Sequence, residues 1–241
     1  MSKRQIFLAS GIILFLAFLL FSYLVHKNHF VTLDFNNTVH LQDHISRKFD
    51  GPFTFLSELG KVEVMTVVLA VIFLITRRFK AGAVAFGWYI SFHIIEIYGK
   101  YFVWHRPPPQ FMVRTENLLP LSPFDVRTQN SYPSGHAGRT FFVSVILLIL
   151  LWQSRRLSLV MKLVFSGLIL VFDVAMVVSR VYLGEHWTTD VIGGSLLGSA
   201  FGLFTCLFLG EKTHNTATAA SPEGKKKGWF PKYKIEVKRV D

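Results

Sequence analysis

From residue 6 to residue 25 the chain runs without a charge, and five further apolar stretches follow at 62–76, 81–104, 137–153, 159–178 and 191–209. A helix of about twenty apolar residues is long enough to cross a hydrocarbon core roughly 30 Å thick. Composition points the same way: 51% of the residues are hydrophobic, 24 are Phe and only 17% are charged, so lipid is a better solvent than water for most of this chain. The first run follows Lys3-Arg4 as a signal peptide would. It is longer than a signal core, however, and continues into Tyr23, Leu24, Val25 and His26 instead of a small-residue cleavage site. It reads as a retained first helix. The expected fold is all-α: a six-transmembrane-helix bundle over residues 1–210, with short interfacial helices on the outer side, followed by a basic cytoplasmic tail over 211–241.

The stretch 27–61 spaces Phe35, Val39, Ile45, Phe49, Phe53 and Phe55 among charges, a pattern that fits interfacial helices and a surface loop about equally. The sixth run carries Gly193, Gly194, Ser195, Gly198, Ser199, Ala200 and Gly202, small residues that let helices approach closely.

The formal charge of +11 invites a nucleic-acid partner, but no binding motif supports one. Basic cytoplasmic loops are the plainer source of the charge. When the runs alternate across a membrane, sixteen of the 26 Lys and Arg fall on one side, including Lys3, Arg4, Arg77, Arg78, Lys80, Arg155, Arg156 and Lys162, and ten fall on the other. The richer side is expected to be cytoplasmic. That makes a multi-pass protein of the cell membrane with both termini cytoplasmic. The lone cysteine, Cys206, lies in an apolar run and supports neither a disulfide framework nor a cysteine metal site.

With that orientation three polar clusters fall at outer ends of separate runs: Lys100 to Pro107, Tyr132 to His136, and Ser179 to Asp190. Each holds a group suited to a phosphate. Arg106 and Arg180 can form paired charge-assisted hydrogen bonds with phosphoryl oxygens, and Lys100 adds a point charge. Pro133-Ser134-Gly135-His136 opens the fourth run, where a helix N-terminus favours an anion and Gly135 admits close backbone approach. Asp190 follows His186 by four residues, so its carboxylate can hold one ring nitrogen as a donor and leave the other free to attack. His136 is then placed to protonate a leaving oxygen. No metal and no cofactor is expected, because three cations and a helix N-terminus can stabilise the phosphoryl oxygens. Arg139, one turn after His136, suits substrate or an acidic side chain equally. Glu96 and Lys100 form an i,i+4 pair in the favourable order.

Pro133-Ser134-Gly135-His136 matches a P-S-G-H motif, and Ser179-Arg180 followed by His186 and Asp190 matches S-R-x5-H-x3-D without a gap. The chain thereby resembles the type-2 phosphatidic acid phosphatase superfamily, in its small bacterial six-helix form of the phosphatidylglycerophosphatase B type. The resemblance implies that His186 is the nucleophile, Asp190 its partner and His136 the acid, and that Ser134, Gly135 and Arg180 bind phosphate. It also implies a lipid phosphate as substrate, with phosphatidylglycerophosphate and undecaprenyl diphosphate leading. The first family motif, K-x6-R-P, departs by one residue: Lys100 and Arg106 enclose five residues, and Gly99 stands at the expected position. Either the helix end is rewound so that Lys100 reaches the phosphate, or Arg106 carries most of the load. A transporter or proton relay using the same polar residues is the alternative function. Oligomeric state is not legible.

Overall fold

A computed structural model describes residues 2–115 and 129–209. The expected basic tail at 211–241 lies outside the described residues. Eight α-helices carry the fold: α1 Lys3–His26, α2 Val31–His44, α3 Asp50–Leu59, α4 Val62–Thr76, α5 Phe79–Phe102, α6 Gly135–Gln153, α7 Leu159–Tyr182 and α8 Thr188–Cys206. Among the described residues the protein is all-α.

Local chemistry sets several helix ends. Ser2 and Gln5 form a reciprocal capping box at the start of α1, and Ser158 accepts the Met161 N–H at the start of α7. Arg77 ends α4 in the left-handed region at φ 53°, which turns the chain directly into α5. The stretch 27–61 folds as helices, α2 and α3 with a short 3-10 turn at Arg47–Phe49 between them. They do not stand apart from the bundle. Both pack against α7, and α2 also touches α8.

Among the described residues four helices, α1, α6, α7 and α8, are long and apolar enough to cross a membrane, and the pair Arg47–Leu59 and Val62–Thr76, bent by 54°, makes a fifth if it counts as one span. The expected count was six. The difference lies in α5, which is 24 residues long but interrupts its apolar sequence with His93, Glu96 and Lys100.

The centre of the bundle is the pairing of α6 with α8, against which α1 and α5 also pack. Glycines make this pairing possible. A Cβ at Gly198 would stand 1.9 Å from the Gly138 carbonyl oxygen, and one at Gly194 would stand 2.2 Å from that of Ser134. Backbone meets backbone here, so no side chain can rotate away. Two-thirds of the apolar window of α8 is buried (67%), against 11% for α7, so α8 is the axis and α7 presents most of its surface to lipid. Gly198→Ala is expected to cost about 1–3 kcal/mol of stability by forcing the two backbones apart. Thermal melting in detergent checks this, and an unchanged midpoint would show that the helices separate freely.

The α6–α8 contact has a functional consequence. It brings the start of α6, with His136, beside the start of α8, with Asp190, and the Ser134 N–H donates to the Asp190 carbonyl at 2.9 Å. Two clusters far apart in sequence are thus tied by one backbone hydrogen bond.

Candidate active site

His186 sits between the end of α7 and the start of α8, in a turn that requires Gly184 at φ 67°, where a Cβ would stand 2.2 Å from the Met112 carbonyl oxygen. The turn leaves His186 buried, with Nδ1 at 3.2 Å from Asp190 Oδ2. The same carboxylate oxygen accepts the Trp187 N–H at 3.0 Å, so Asp190 is fixed by the backbone of the helix it opens. A carboxylate only accepts, so Nδ1 of His186 carries the hydrogen and a neutral ring has its lone pair on Nε2. Burial, with help from the Arg180 and Lys100 charges, outweighs the Asp190 interaction and holds the His186 pKa below its ordinary value of 6.5. The nitrogen lone pair is therefore available at neutral pH. The imidazole 15N resonance lost in His186→Asn is expected to titrate below pH 6.5 in the wild-type protein. Titration at or above 6.5 would contradict this burial-driven neutrality.

His136 has the opposite arrangement. Arg139 Nη2 stands 3.5 Å from its Nδ1, and a guanidinium only donates, so a neutral His136 carries its hydrogen on Nε2. That Nε2 is buried without a hydrogen-bond partner among the described residues. The two rings thus present an acceptor nitrogen from His186 and a donor nitrogen from His136. Arg139 is itself held by the Gly60 carbonyl at 3.0 Å and Glu96 at 3.3 Å, and Glu96 also meets His93 Nδ1 at 3.0 Å. Glu96 therefore pairs with Arg139 across helices rather than lying along its own helix against Lys100. Gly135 serves this contact, because a Cβ there would stand 2.0 Å from Glu96 Oε1. At Gly60, which separates α3 from α4, a Cβ would come within 2.9 Å of the His136 ring.

Arg180 is buried at 1% exposure, donating to Ser57 on α3 and to Glu185, whose carboxylate also accepts the Thr115 hydroxyl. Among the described residues its Nε has no partner, and neither does the fully buried Ser134 Oγ. The charges of Arg180, Arg139 and Lys100 all bear on His136, and those of Arg180 and Lys100 bear on His186. Lys100, although one residue out of register, reaches both histidines electrostatically. Arg106 does not share that position. It is exposed, with its guanidinium 5.5 Å from the Trp104 ring centre, while its carbonyl accepts the Trp187 indole N–H at 2.7 Å.

The structure thus brings His186, Asp190, His136, Ser134, Gly135 and Arg180 together, with the Lys100 charge bearing on both histidines, while the Arg106 side chain is exposed. Ser57, Glu185 and the Gly60 carbonyl were not foreseen. They lie on α3, at its end and in the α7–α8 turn, and no local spacing ties them to the histidines. Asp34 and His105 were also unforeseen in this role; Asp34 accepts the Thr189 N–H at 2.9 Å and its hydroxyl at 2.7 Å.

Residues 81–214, which carry every group just described on α5 to α8, match the PAP2 superfamily. The chain belongs to the PAP2 superfamily. It is thereby a membrane phosphatase by family. Among curated relatives it is 34% identical over 153 residues to the undecaprenyl-diphosphatase of Sulfolobus acidocaldarius, covering 62% of this chain and 66% of that one. It is 29% identical over 167 residues to the bacitracin transport permease protein BcrC of Bacillus licheniformis, covering 63% and 76%. Among solved PAP2 structures, the phosphatidylglycerolphosphate phosphatase of Bacillus subtilis superposes with a TM-score of 0.68 at 21% identity, covering 83% of this chain and 95% of that one. LpxE of Aquifex aeolicus gives a TM-score of 0.53 at 22% identity, covering 72% and 94%. At these identities the two structures show a shared fold.

Proposed function

We propose that the protein removes the terminal phosphate of a membrane lipid phosphate through a phosphohistidine on His186, with phosphatidylglycerophosphate and undecaprenyl diphosphate as the leading substrates. The observation that carries this reading is a set of buried donors without partners among the described residues, Ser134 Oγ, His136 Nε2 and Arg180 Nε. A buried donor left unsatisfied costs about 1–3 kcal/mol, and one phosphoryl group can relieve all three. The family and the curated diphosphatase relative support the same chemistry.

In the proposed reaction Nε2 of His186 attacks phosphorus, the bond from phosphorus to the leaving oxygen breaks, and that oxygen takes the Nε2 proton of His136, which the negative charge of the bound phosphate holds as the imidazolium and which leaves the step as the neutral ring. Arg180, Lys100 and Ser134 hold the phosphoryl oxygens as charge redistributes. Asp190 stabilises the positive charge that His186 acquires. Water then attacks the phosphohistidine and gives its proton to His136 as the P–N bond breaks, which releases orthophosphate and restores both rings. In this reading α5 and the bent α3–α4 unit complete a six-span bundle, both termini are cytoplasmic and the site opens on the outer face.

A lipid tail has a place to go. An apolar cavity of about 320 Å³ between α4, α6 and α7 is lined by Leu59, Met65, Thr140, Leu147, Leu168 and Phe172. Leu59 adjoins Gly60, and Thr140 lies one turn along α6 from His136, so in this reading the cavity lies beside the site and takes the tail. The permease name of the BcrC relative favours a transport reading as the rival. Phosphate release from phosphatidylglycerophosphate, phosphatidate and prenyl mono- and diphosphates, measured beside flux in liposomes, separates the two. Release from at least one lipid phosphate is expected. Flux without any release would overturn hydrolysis in favour of transport.

A further inference from the structure

Asp190 Oδ2 is saturated by His186 and Trp187, but Asp190 Oδ1 is fully buried and has no hydrogen bond among the described residues. The basic group that approaches it is Nε2 of His105, at 3.5 Å. His105 lies in the segment after α5 and is itself buried at 6% exposure. Its backbone is pinned: the N–H donates to Asn130 Oδ1 at 3.1 Å and the carbonyl accepts the Ser131 N–H at 2.9 Å. Nε2 also lies 3.1 Å from Thr189 Oγ1 and 3.5 Å from Asp34 Oδ2. The Thr189 hydroxyl donates to Asp34 at 2.7 Å, so it can only accept from His105, and Nε2 must carry a hydrogen. That hydrogen faces three acceptors: Thr189 Oγ1 and one carboxylate oxygen each from Asp34 and Asp190.

We propose that His105 is a positioning residue for the reaction above: anchored by Asp34 of α2 through Thr189, it holds the second oxygen of Asp190 and so fixes the carboxylate that orients His186. The inference rests on the His186 reading and adds an outer layer to it, His186 to Asp190 to His105 to Asp34. Burial alone would keep His105 neutral. The Asp34 hydrogen bond and the charges of Asp190 and Asp34 outweigh burial and raise its pKa above the ordinary value, which strengthens its hold on both carboxylates. Layers of this kind keep a catalytic pair in one tautomer and one orientation. They also give α2, outside the family-matched segment, a reason to touch α8.

The test is a kinetic cycle on the full-length protein in detergent with a lipid phosphate that it hydrolyses. His105→Leu is expected to lower kcat about 10- to 100-fold with KM unchanged, the size of a lost hydrogen bond to a charged group. His105→Gln, whose amide nitrogen stands near Nε2, is expected to recover part of the loss. In an Asp190→Asn background, His105→Leu is expected to cause no further fall, because its partner charge is already gone. Should His105→Leu fail to fold, Asp34→Asn removes the anchor from the other side and is expected to give a smaller loss in kcat. Full kcat in His105→Leu, an effect confined to KM, or an equal loss in the Asp190→Asn background would each overturn the proposal. His186→Ala serves as the control: if it is inactive while His105→Leu is fully active, this inference falls and the His186 mechanism stands.

Discussion

Replacing His186 with alanine is expected to lower phosphate release by about 10⁴-fold or more while the protein still folds. The size follows from the role. Removing a nucleophile takes away the covalent route, and what remains is whatever positioning and charge stabilisation the other groups give to direct attack by water. His186 is buried and linked to Asp190 at 3.2 Å, but it lies in the turn between α7 and α8, outside the α6–α8 contact, so truncation is expected to leave that contact intact. A monodisperse gel-filtration peak and an unchanged melt would separate lost chemistry from lost fold. Retention of full activity would remove His186 from the mechanism.

Asp190→Asn is expected to cost on the order of 10³- to 10⁴-fold, nearly as much, although it changes only one atom. Asp190 accepts from His186 Nδ1 and the Trp187 N–H on one oxygen, and His105 Nε2 approaches the other at 3.5 Å. An asparagine has one acceptor and one donor. Whichever way the amide turns, its NH2 faces another donor, at His186 and Trp187 or at His105. The neutral amide also leaves uncompensated the charge that His186 gains as it bonds to phosphorus. The fall is therefore expected in kcat rather than KM, measured on the same lipid phosphate as the wild type.

How much of this could be read before the fold was known depends on how far apart the partners lie. Lipid demands long apolar runs, so α1, α6, α7 and α8 stand out in sequence. α5 carries its polar groups on the face turned to the bundle, and the α3–α4 unit is broken at Gly60, which is why the span count was less certain than the helices themselves. The His186–Asp190 contact was legible because both residues lie within one turn of the same short segment. The turn before α6 was legible for the same reason.

Partners from distant segments left no local pattern. Arg180 meets Ser57 on α3, Arg139 meets Glu96 on α5, and Thr189 meets Asp34 on α2. The i,i+4 spacing of Glu96 and Lys100 pointed to a pair along one helix, but the buried guanidinium of Arg139 offers Glu96 a drier and stronger partner. Gly135 was read as admitting close approach of a ligand to its backbone, and its missing side chain also makes room for that carboxylate. The register of Lys100 and Arg106 could not be resolved from spacing, because it depends on where α5 ends and where Trp104 and Trp187 hold the following segment.

The central claim is that phosphate passes through His186, and it is tested most directly by trapping the intermediate. Wild-type protein mixed with a lipid phosphate labelled on its terminal phosphoryl group and quenched in alkali within the first turnover is expected to carry label. That label should be stable to base, labile to acid and confined to the peptide containing His186. A quench that yields orthophosphate with no protein-bound label, or label on any other residue, would contradict the account.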